Sequence, residues 1–68
     1  MDRNYVKGKG ILVGAYTEND LSKGKDKEDV KKMSEKTGYK YTNTELVKRG
    51  NRVVAMKVYV CSAEDFKL

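Results

Sequence analysis

Hydrophobic and polar residues alternate most regularly over residues 52–61, where Val54, Met56, Val58 and Val60 occupy every second position. Successive side chains of a β-strand point to opposite faces of a sheet, so this spacing predicts a strand with one buried face. The opposite face would carry residues of mixed character: Val53, Ala55, Lys57, Tyr59 and Cys61.

A second apolar segment, G-I-L-V-G-A-Y-T, occupies residues 10–17. It is short, contains β-branched residues and is bounded by polar residues, so we predict a strand there as well. The polar residues 1–9 would form an arm leading into this strand. Residues 18–25 are expected to form a loop, since Gly24 would interrupt a helix begun nearby.

One helix is predicted over residues 26–37. Asp26 is expected to cap its first turn, because an aspartate side chain can accept hydrogen bonds from the free N–H groups there. Gly38 suits the left-handed residue that commonly ends a helix. The apolar stripe of this helix, Val30 and Met33, is narrow, so the helix would need a sheet to pack against.

Residues 39–48 and 52–61 are expected to pair as a β-hairpin across a three-residue loop, Arg49-Gly50-Asn51. Gly and Asn tolerate the positive φ angles that tight hairpin turns require. This loop length predicts the pairs Leu46–Val54, Thr44–Met56 and Thr42–Val58 on the inner face, and Val47–Val53 and Tyr41–Tyr59 on the outer face. A slip of one residue would exchange the two faces.

The order strand, helix, strand, strand predicts an α+β class, a small β-α-β-β domain. We expect a three-stranded, mostly antiparallel sheet with one helix on one face, in a single domain over residues 1–68. Residues 62–68 would form a C-terminal tail with a short helical turn and the apolar residues Phe66 and Leu68. This order of elements occurs in many unrelated small domains and does not by itself give a function.

The composition limits the classes of function that need consideration. Charged residues make up 37% and apolar residues 38% of the chain, which carries a formal net charge of +5. The charge is spread over both halves, as on a solvated surface, and no basic block stands out.

No apolar run approaches the roughly 20 residues of a membrane-spanning helix, so we expect no membrane partner. A single cysteine, Cys61, without an export signal indicates a cytoplasmic protein.

The side chains present in the sequence give little support for catalysis or for metal binding. The chain has no histidine and one cysteine, so it can form neither an internal disulfide nor a closed zinc site. The lack of histidine also removes the commonest base for activating a serine or cysteine nucleophile. We therefore predict a protein that is not an enzyme and that needs no cofactor or metal.

Small size and an apolar outer face favour an interaction module. A domain of this length buries only about 60% of its unfolded surface, and small scaffolds without disulfides or metals commonly gain stability by association. We expect a non-catalytic regulator, accessory factor or inhibitor that self-associates as a homo-oligomer or docks on a larger protein. Its interface would comprise Tyr41, Val47, Val53, Tyr59 and Phe66.

The alternative is a basic nucleic-acid-binding module that uses the same face. Tyr41 and Tyr59 would stack on bases, while neighbouring cations would contact phosphates. Those cations are Lys40, Lys48, Arg49, Arg52 and Lys57. The net charge supports this alternative, and the even distribution of the charge weakens it.

Overall fold

The computed structural model describes residues 5–66, which fold around one antiparallel sheet. The elements follow one another in the order β1 (Tyr5–Val6), β2 (Gly10–Tyr16), α1 (Glu18–Ser22), α2 (Lys25–Thr37), β3 (Tyr41–Arg49) and β4 (Arg52–Cys61). The α+β class and the antiparallel sheet predicted from the sequence are confirmed. Neither helix in this part of the chain is long and apolar enough to cross a membrane.

The sheet has four strands instead of the three expected, in the order β1-β2-β4-β3. The additional strand, β1, lies in the segment predicted as an arm and pairs antiparallel with the start of β2. Gly10 permits this pairing, because its φ of +117° is a conformation that L side chains rarely adopt. Residues 1–4 of the predicted arm lie outside the described residues. β4 occupies the centre of the sheet, between β2 and β3.

The β3–β4 hairpin does not have the predicted register, and its predicted faces hold only on the far side of one register shift. Its loop is the two-residue Gly50-Asn51, and the register shifts once, between Val47 and Lys48. Gly50 has a φ of +65°, and a type II′ turn requires a positive φ at its first central residue. The predicted pairs are wrong by two positions, and the observed pairs are Leu46–Met56, Thr44–Val58, Thr42–Val60, Val47–Ala55 and Tyr41–Cys61. Two residues are one full repeat of a strand, so residues 41–47 and 55–61 keep their predicted faces. On the loop side of the shift Lys48 pairs with Val53, one position from the prediction, so Val53 lies on the face opposite to the predicted one, and Val54 is the extra residue at the shift.

α2 packs across β2 and β4, and one of its two ends differs from the prediction. The helix begins at Lys25, and its N-cap is Gly24 in a left-handed conformation with no side-chain cap hydrogen bond. The predicted cap at Asp26 is therefore wrong; Asp26 lies inside the first turn, where its charge suits the helix dipole. At the other end Gly38 has a φ of +81°, and its N–H donates to the Ser34 carbonyl, so the left-handed end is confirmed.

α1 lies in the segment predicted as a loop, so that prediction is wrong. A capping box holds its first turn: the Thr17 hydroxyl accepts from the Asp20 N–H, and the Asp20 carboxylate accepts from the Thr17 N–H. Hydrogen bonds from Thr17 lower the pKa of the Asp20 carboxyl. The sequence T-E-N-D carries this capping pattern, which is the signal that the loop prediction overlooked.

The C-terminal segment forms a single hydrogen-bonded turn within residues 62–66. The Asp65 N–H donates to the Ser62 carbonyl at 3.2 Å. Phe66 packs on Tyr41 with 5.0 Å between the ring centroids. Leu68, which was predicted to belong to the same tail, lies outside the described residues.

The core lies at one end of the sheet, around the last residues of β4. Val58 and Val60 are buried on the face that α2 covers, together with Ile11 from β2. Tyr16 is buried on the same face, and its hydroxyl donates to the Asp29 carboxylate of α2 at 2.9 Å. Burial and this hydrogen bond raise the pKa of Tyr16 to about 12. The core thus ends at Tyr16 in a hydrogen bond to α2.

The opposite face of β4 is also buried at this end, because the β1–β2 turn and the C-terminal turn cover Tyr59 and Cys61. The Asn43 side-chain amide joins these two turns by donating to the Lys9 carbonyl at 2.8 Å and to the Asp65 carbonyl at 3.1 Å. Burial raises the pKa of the Cys61 thiol, and the Asp65 charge adds to that rise. We refer to this half of the sheet, where both faces of β4 are covered, as the closed end.

Candidate functional site

The five residues predicted to form an apolar interface do not share one surface. Tyr59 is buried, so the expectation that it is exposed on the outer face is wrong. Tyr41 is exposed, but its ring packs on Phe66 at the closed end. Val47 and Val53 lie near the hairpin loop. Because a strand rises about 3.3 Å per residue, Tyr41 and Val47 are roughly 20 Å apart along β3.

The cations predicted to contact nucleic acid are divided between the ends of the hairpin. Three lie at the loop: Lys48, Arg49 and Arg52. Lys40 precedes β3 at the far end, and Lys57 lies opposite Glu45 along the hairpin. Tyr59, the predicted stacking residue, is buried, and its hydroxyl donates to Glu45 at 3.2 Å. The predicted combination of tyrosines and cations is therefore not brought together.

A groove of about 800 Å³ opens at the hairpin end of the sheet, and we refer to it as the hairpin groove. One wall is the end of β2 with α1, and the other is the β3–β4 hairpin. Its apolar lining consists of Leu21, Leu46, Val53, Val54, Ala55 and Met56. Leu46 is 55% exposed, Val53 49% and Val54 41%. The predicted burial of Leu46 and Val54 is therefore wrong.

The hairpin groove exists because β4 extends beyond the end of β2. The last residue of β2, Tyr16, lies opposite Met56, and the chain then turns at Thr17 into α1. Arg52, Val53 and Ala55 of β4 consequently pair with β3 alone, and Val54 is the extra residue at the register shift. α1 packs on α2 and β2, so it stands beside this free edge of β4 and leaves the apolar side chains open to solvent.

The two walls of the hairpin groove carry opposite charges. Arg52 lines the hairpin wall, and Glu18, the first residue of α1, lines the other. Both residues are exposed, and neither forms an ion pair with any of residues 5–66. The groove is thus apolar along its floor and electrically polarised across its width.

Positive charge is concentrated at the hairpin loop without a local partner. Arg49 and Arg52 are directly opposite each other across the loop. Like charges in this arrangement destabilise a sheet by roughly 0.2–1 kcal/mol. Within the described residues, neither arginine nor the adjacent Lys48 forms an ion pair. The fold therefore keeps charges at the loop that do not stabilise it.

A separate polar cluster on the other face of the sheet is internally satisfied. Lys9 forms an ion pair with Glu45, and the Lys9 ammonium lies 5.7 Å from the centre of the Tyr59 ring. The hydrogen bond from Lys9 lowers the pKa of the Glu45 carboxyl, and the same bond raises the pKa of the Lys9 ammonium. This cluster ties the β1–β2 turn to β3 and offers no free group for a ligand.

Metal chemistry has no site in the described part of the chain. Within residues 5–66, no group of three or more His, Cys, Asp or Glu side chains could hold a metal ion. A smaller cavity of about 230 Å³ between β2 and α2 includes Asp29 in its lining, and this carboxylate already accepts from Tyr16. The hairpin groove is the better candidate for a functional site.

The sequence prediction identified part of the hairpin groove and missed the rest. Val53 and Arg52 were predicted as binding residues and do line it. Leu46 and Val54 were placed in the core, because an alternating pattern does not reveal where the covering helix stops. Glu18 was placed in a loop, although the capping pattern that begins at the preceding residue could have revealed α1.

No protein-family model, curated protein or solved structure matches this chain. The hairpin groove is therefore defined by the geometry and charge of this chain alone.

Proposed function

We propose that the chain is a non-catalytic protein-interaction module that binds its partner through the hairpin groove. The observation that supports this most directly is the exposure of Leu46, Val53 and Val54 around one concave surface. Contiguous exposed apolar surface on a soluble domain usually marks an interaction site. Complete burial of one such side chain contributes roughly 1.5–3 kcal/mol, so a partner that covers part of each gains binding free energy from a preformed surface.

The ionisable groups of the groove support binding rather than catalysis. A general acid–base site needs a group that exchanges its proton near the working pH. An arginine side chain does not act as such a group, because guanidinium keeps its proton in proteins. Tyr16 is buried, and its pKa is raised to about 12 by burial and by its hydrogen bond to Asp29. Glu18 is then the single carboxylate of the groove lining, without a second group to act with it.

A nucleic-acid-binding module is the second candidate, and the opposed Arg49 and Arg52 favour it. With Lys48, these residues form a cationic loop that could contact phosphates. Two observations weaken this candidate. Glu18 lines the same groove as Arg52 and would repel a phosphate backbone, and the buried Tyr59 cannot stack on a base.

Site-specific photo-crosslinking in the cells that naturally produce the chain tests the proposed function. A benzophenone amino acid replaces Leu46 in the groove, and the control replaces Glu35, which is exposed on α2. We expect protein adducts, including adducts between copies of the chain, from position 46 well above those from position 35. Adducts to nucleic acid from position 46 would favour the second candidate. Equally few adducts from both positions would show that the groove binds neither.

A further inference from the structure

We infer that the occupant of the hairpin groove is a second copy of this chain, which binds to form a two-fold symmetric dimer. The inference rests on the proposed function, because it names the partner of the same groove. The feature that leads to it is the polarity of the groove, with Arg52 on one wall and Glu18 on the other. The exposed apolar floor between these walls supplies the contact area.

A two-fold axis makes such a groove complementary to itself. In an isologous interface the same patch serves both subunits, so each contact occurs twice with the roles exchanged. When two grooves face each other with their directions reversed, Arg52 of one copy meets the partner's Glu18. The same rotation places the hairpin wall of each copy, with its exposed Leu46, Val53 and Val54, against the α1 wall of the other. A groove whose walls carried one sign of charge would repel its own copy.

Other occupants match the charges less well. An acidic peptide or a nucleic acid would be attracted by Arg52 and by the neighbouring Arg49, but the Glu18 wall would repel it. A basic peptide would be attracted by Glu18 and repelled by Arg52 and Arg49. Opposite charges across an interface steer association and suppress wrong partners, so the pair of walls favours an occupant that is itself polarised.

The available surface suits a small and weak dimer. The folded chain exposes 5456 Å². Interfaces at the lower end of the specific range bury about 600 Å² on each partner, which is roughly a tenth of this surface. Leu46 and Val54 would lie in the centre of the contact, with Arg52 and Glu18 at the rim. An apolar centre with a polar rim is the usual anatomy of a protein interface.

Charge reversal provides the test, with sedimentation velocity over protein concentrations from about 1 µM to about 1 mM, the span of weak affinities. Glu18→Arg alone and Arg52→Glu alone each place like charges across the symmetric interface. We expect each variant to self-associate at least about tenfold more weakly than the original chain. An equimolar mixture of the two variants should associate again, because each wall of one variant then faces the opposite charge on the other.

Matched controls separate this effect from bulk charge and from misfolding. Glu18→Arg raises the net charge by two and Arg52→Glu lowers it by two, so bulk repulsion predicts opposite effects, whereas the dimer predicts weakening by both. Glu35→Arg and Lys31→Glu make the same charge changes at exposed positions of α2. These two controls should change self-association less than about twofold. Arg52→Glu also removes the like-charge opposition to Arg49, so a circular-dichroism spectrum of the original shape is expected.

Three results would overturn the inference: an original chain that stays monomeric up to about 1 mM, a dimer that ignores both substitutions, or a mixture that remains monomeric. The crosslinking experiment keeps this failure distinct from failure of the proposed function. If position 46 then crosslinks to a different protein, the groove is an interaction site and the inferred occupant is wrong. If it crosslinks to nothing, both are wrong.

Discussion

The closed end and the hairpin groove lie on the same central strand and differ in what covers them. Val60 at the closed end is 1% exposed, whereas Val54 near the loop of the same strand is 41% exposed. The residue type and the strand are the same in both cases. The difference comes from the neighbours: β2 pairs with β4 from Met56 to Val60 and not along residues 52–55, and Val54 is the extra residue where the β3–β4 register shifts. The extent of the flanking elements therefore decides which part of a regular strand becomes core.

The closed end and the hairpin groove are expected to contribute unequally to the stability of the fold. Regions with many buried apolar contacts open last, and regions with few such contacts can change without unfolding the domain. The closed end combines buried side chains on both faces of β4 with the hydrogen bonds that Asn43 makes to two turns. The hairpin groove keeps its apolar side chains in solvent, and under the proposed function it is the place where a partner would add the missing cover.

Substitution of Gly10 is expected to break the closed end and to have the largest effect. In Gly10→Ala the new Cβ would lie 2.7 Å from the Cβ of Cys61 and 2.9 Å from the carbonyl carbon of Val60, in a backbone conformation with φ of +117°. We expect a loss of about 3 kcal/mol or more in the free energy of unfolding, measured by urea denaturation. Gly24→Ala is the control: its φ is +72°, but no atom lies within 4 Å of the added Cβ. Strain alone should cost this control about 1–2 kcal/mol. Equal losses would show that packing at Gly10 is unimportant.

A pair of valine truncations sharpens the comparison directly. Val60→Ala should lower the free energy of unfolding by about 2 kcal/mol, because it opens a cavity in the closed end. Val54→Ala should lower it by less than about 0.5 kcal/mol, since this side chain is already partly in water. Both are measured at a protein concentration low enough to keep the chain monomeric. Similar losses from the two variants would contradict the division into a covered and an uncovered half.

Tyr16 lies at the border of the two regions, and loss of its hydroxyl should have a smaller effect than Gly10→Ala or Val60→Ala. Its pKa of about 12 in the fold lies above the usual value of about 10 for tyrosine. The corresponding stability is present below pH 10 and is lost as the pH rises from about 10 to about 12, because the unfolded chain releases this proton first. Tyr16→Phe, which loses the bond to Asp29, should cost about 1 kcal/mol at pH 7. Urea denaturation at several pH values should show this difference shrinking above pH 10. If the difference in unfolding free energy between the two proteins stays constant with pH, folding does not raise the pKa of Tyr16.

The strands and most of their faces could be predicted from the sequence, because a register error of two residues leaves a side chain on the same face of the sheet. The hairpin register was wrong by two, and Leu46 and Met56 still share the predicted face. The two-residue loop accounts for one position of this error, and the irregularity between Val47 and Lys48, which has no clear sequence signal, accounts for the other. β1 is two residues long, too short for periodicity to reveal it.

The candidate site was harder to predict, since burial depends on contacts between distant parts of the chain. Tyr59 and Cys61 are buried because Lys9 and the C-terminal turn meet over them, and Asn43 is the residue that joins those segments. An Asn in an exposed-looking strand position gives no indication of this role. The opening at Val54 depends likewise on where β2 stops, and an apolar pattern does not specify that end.

The central position of β4 has a consequence for the order of folding. β3 reaches β4 through a tight turn, whereas β2 pairs with β4 across roughly 40 residues, and closing such a loop costs roughly 3 kcal/mol of chain entropy. Local pairings generally form before distant ones, so the hairpin is expected to form first and β2 to dock on it afterwards. The wall that carries Arg52 then exists early on the pathway, and the wall that carries Glu18 arrives with the last docking step. Partly folded chains would display one wall without the other, so the inferred pairing of two copies would be open only to molecules that have finished folding.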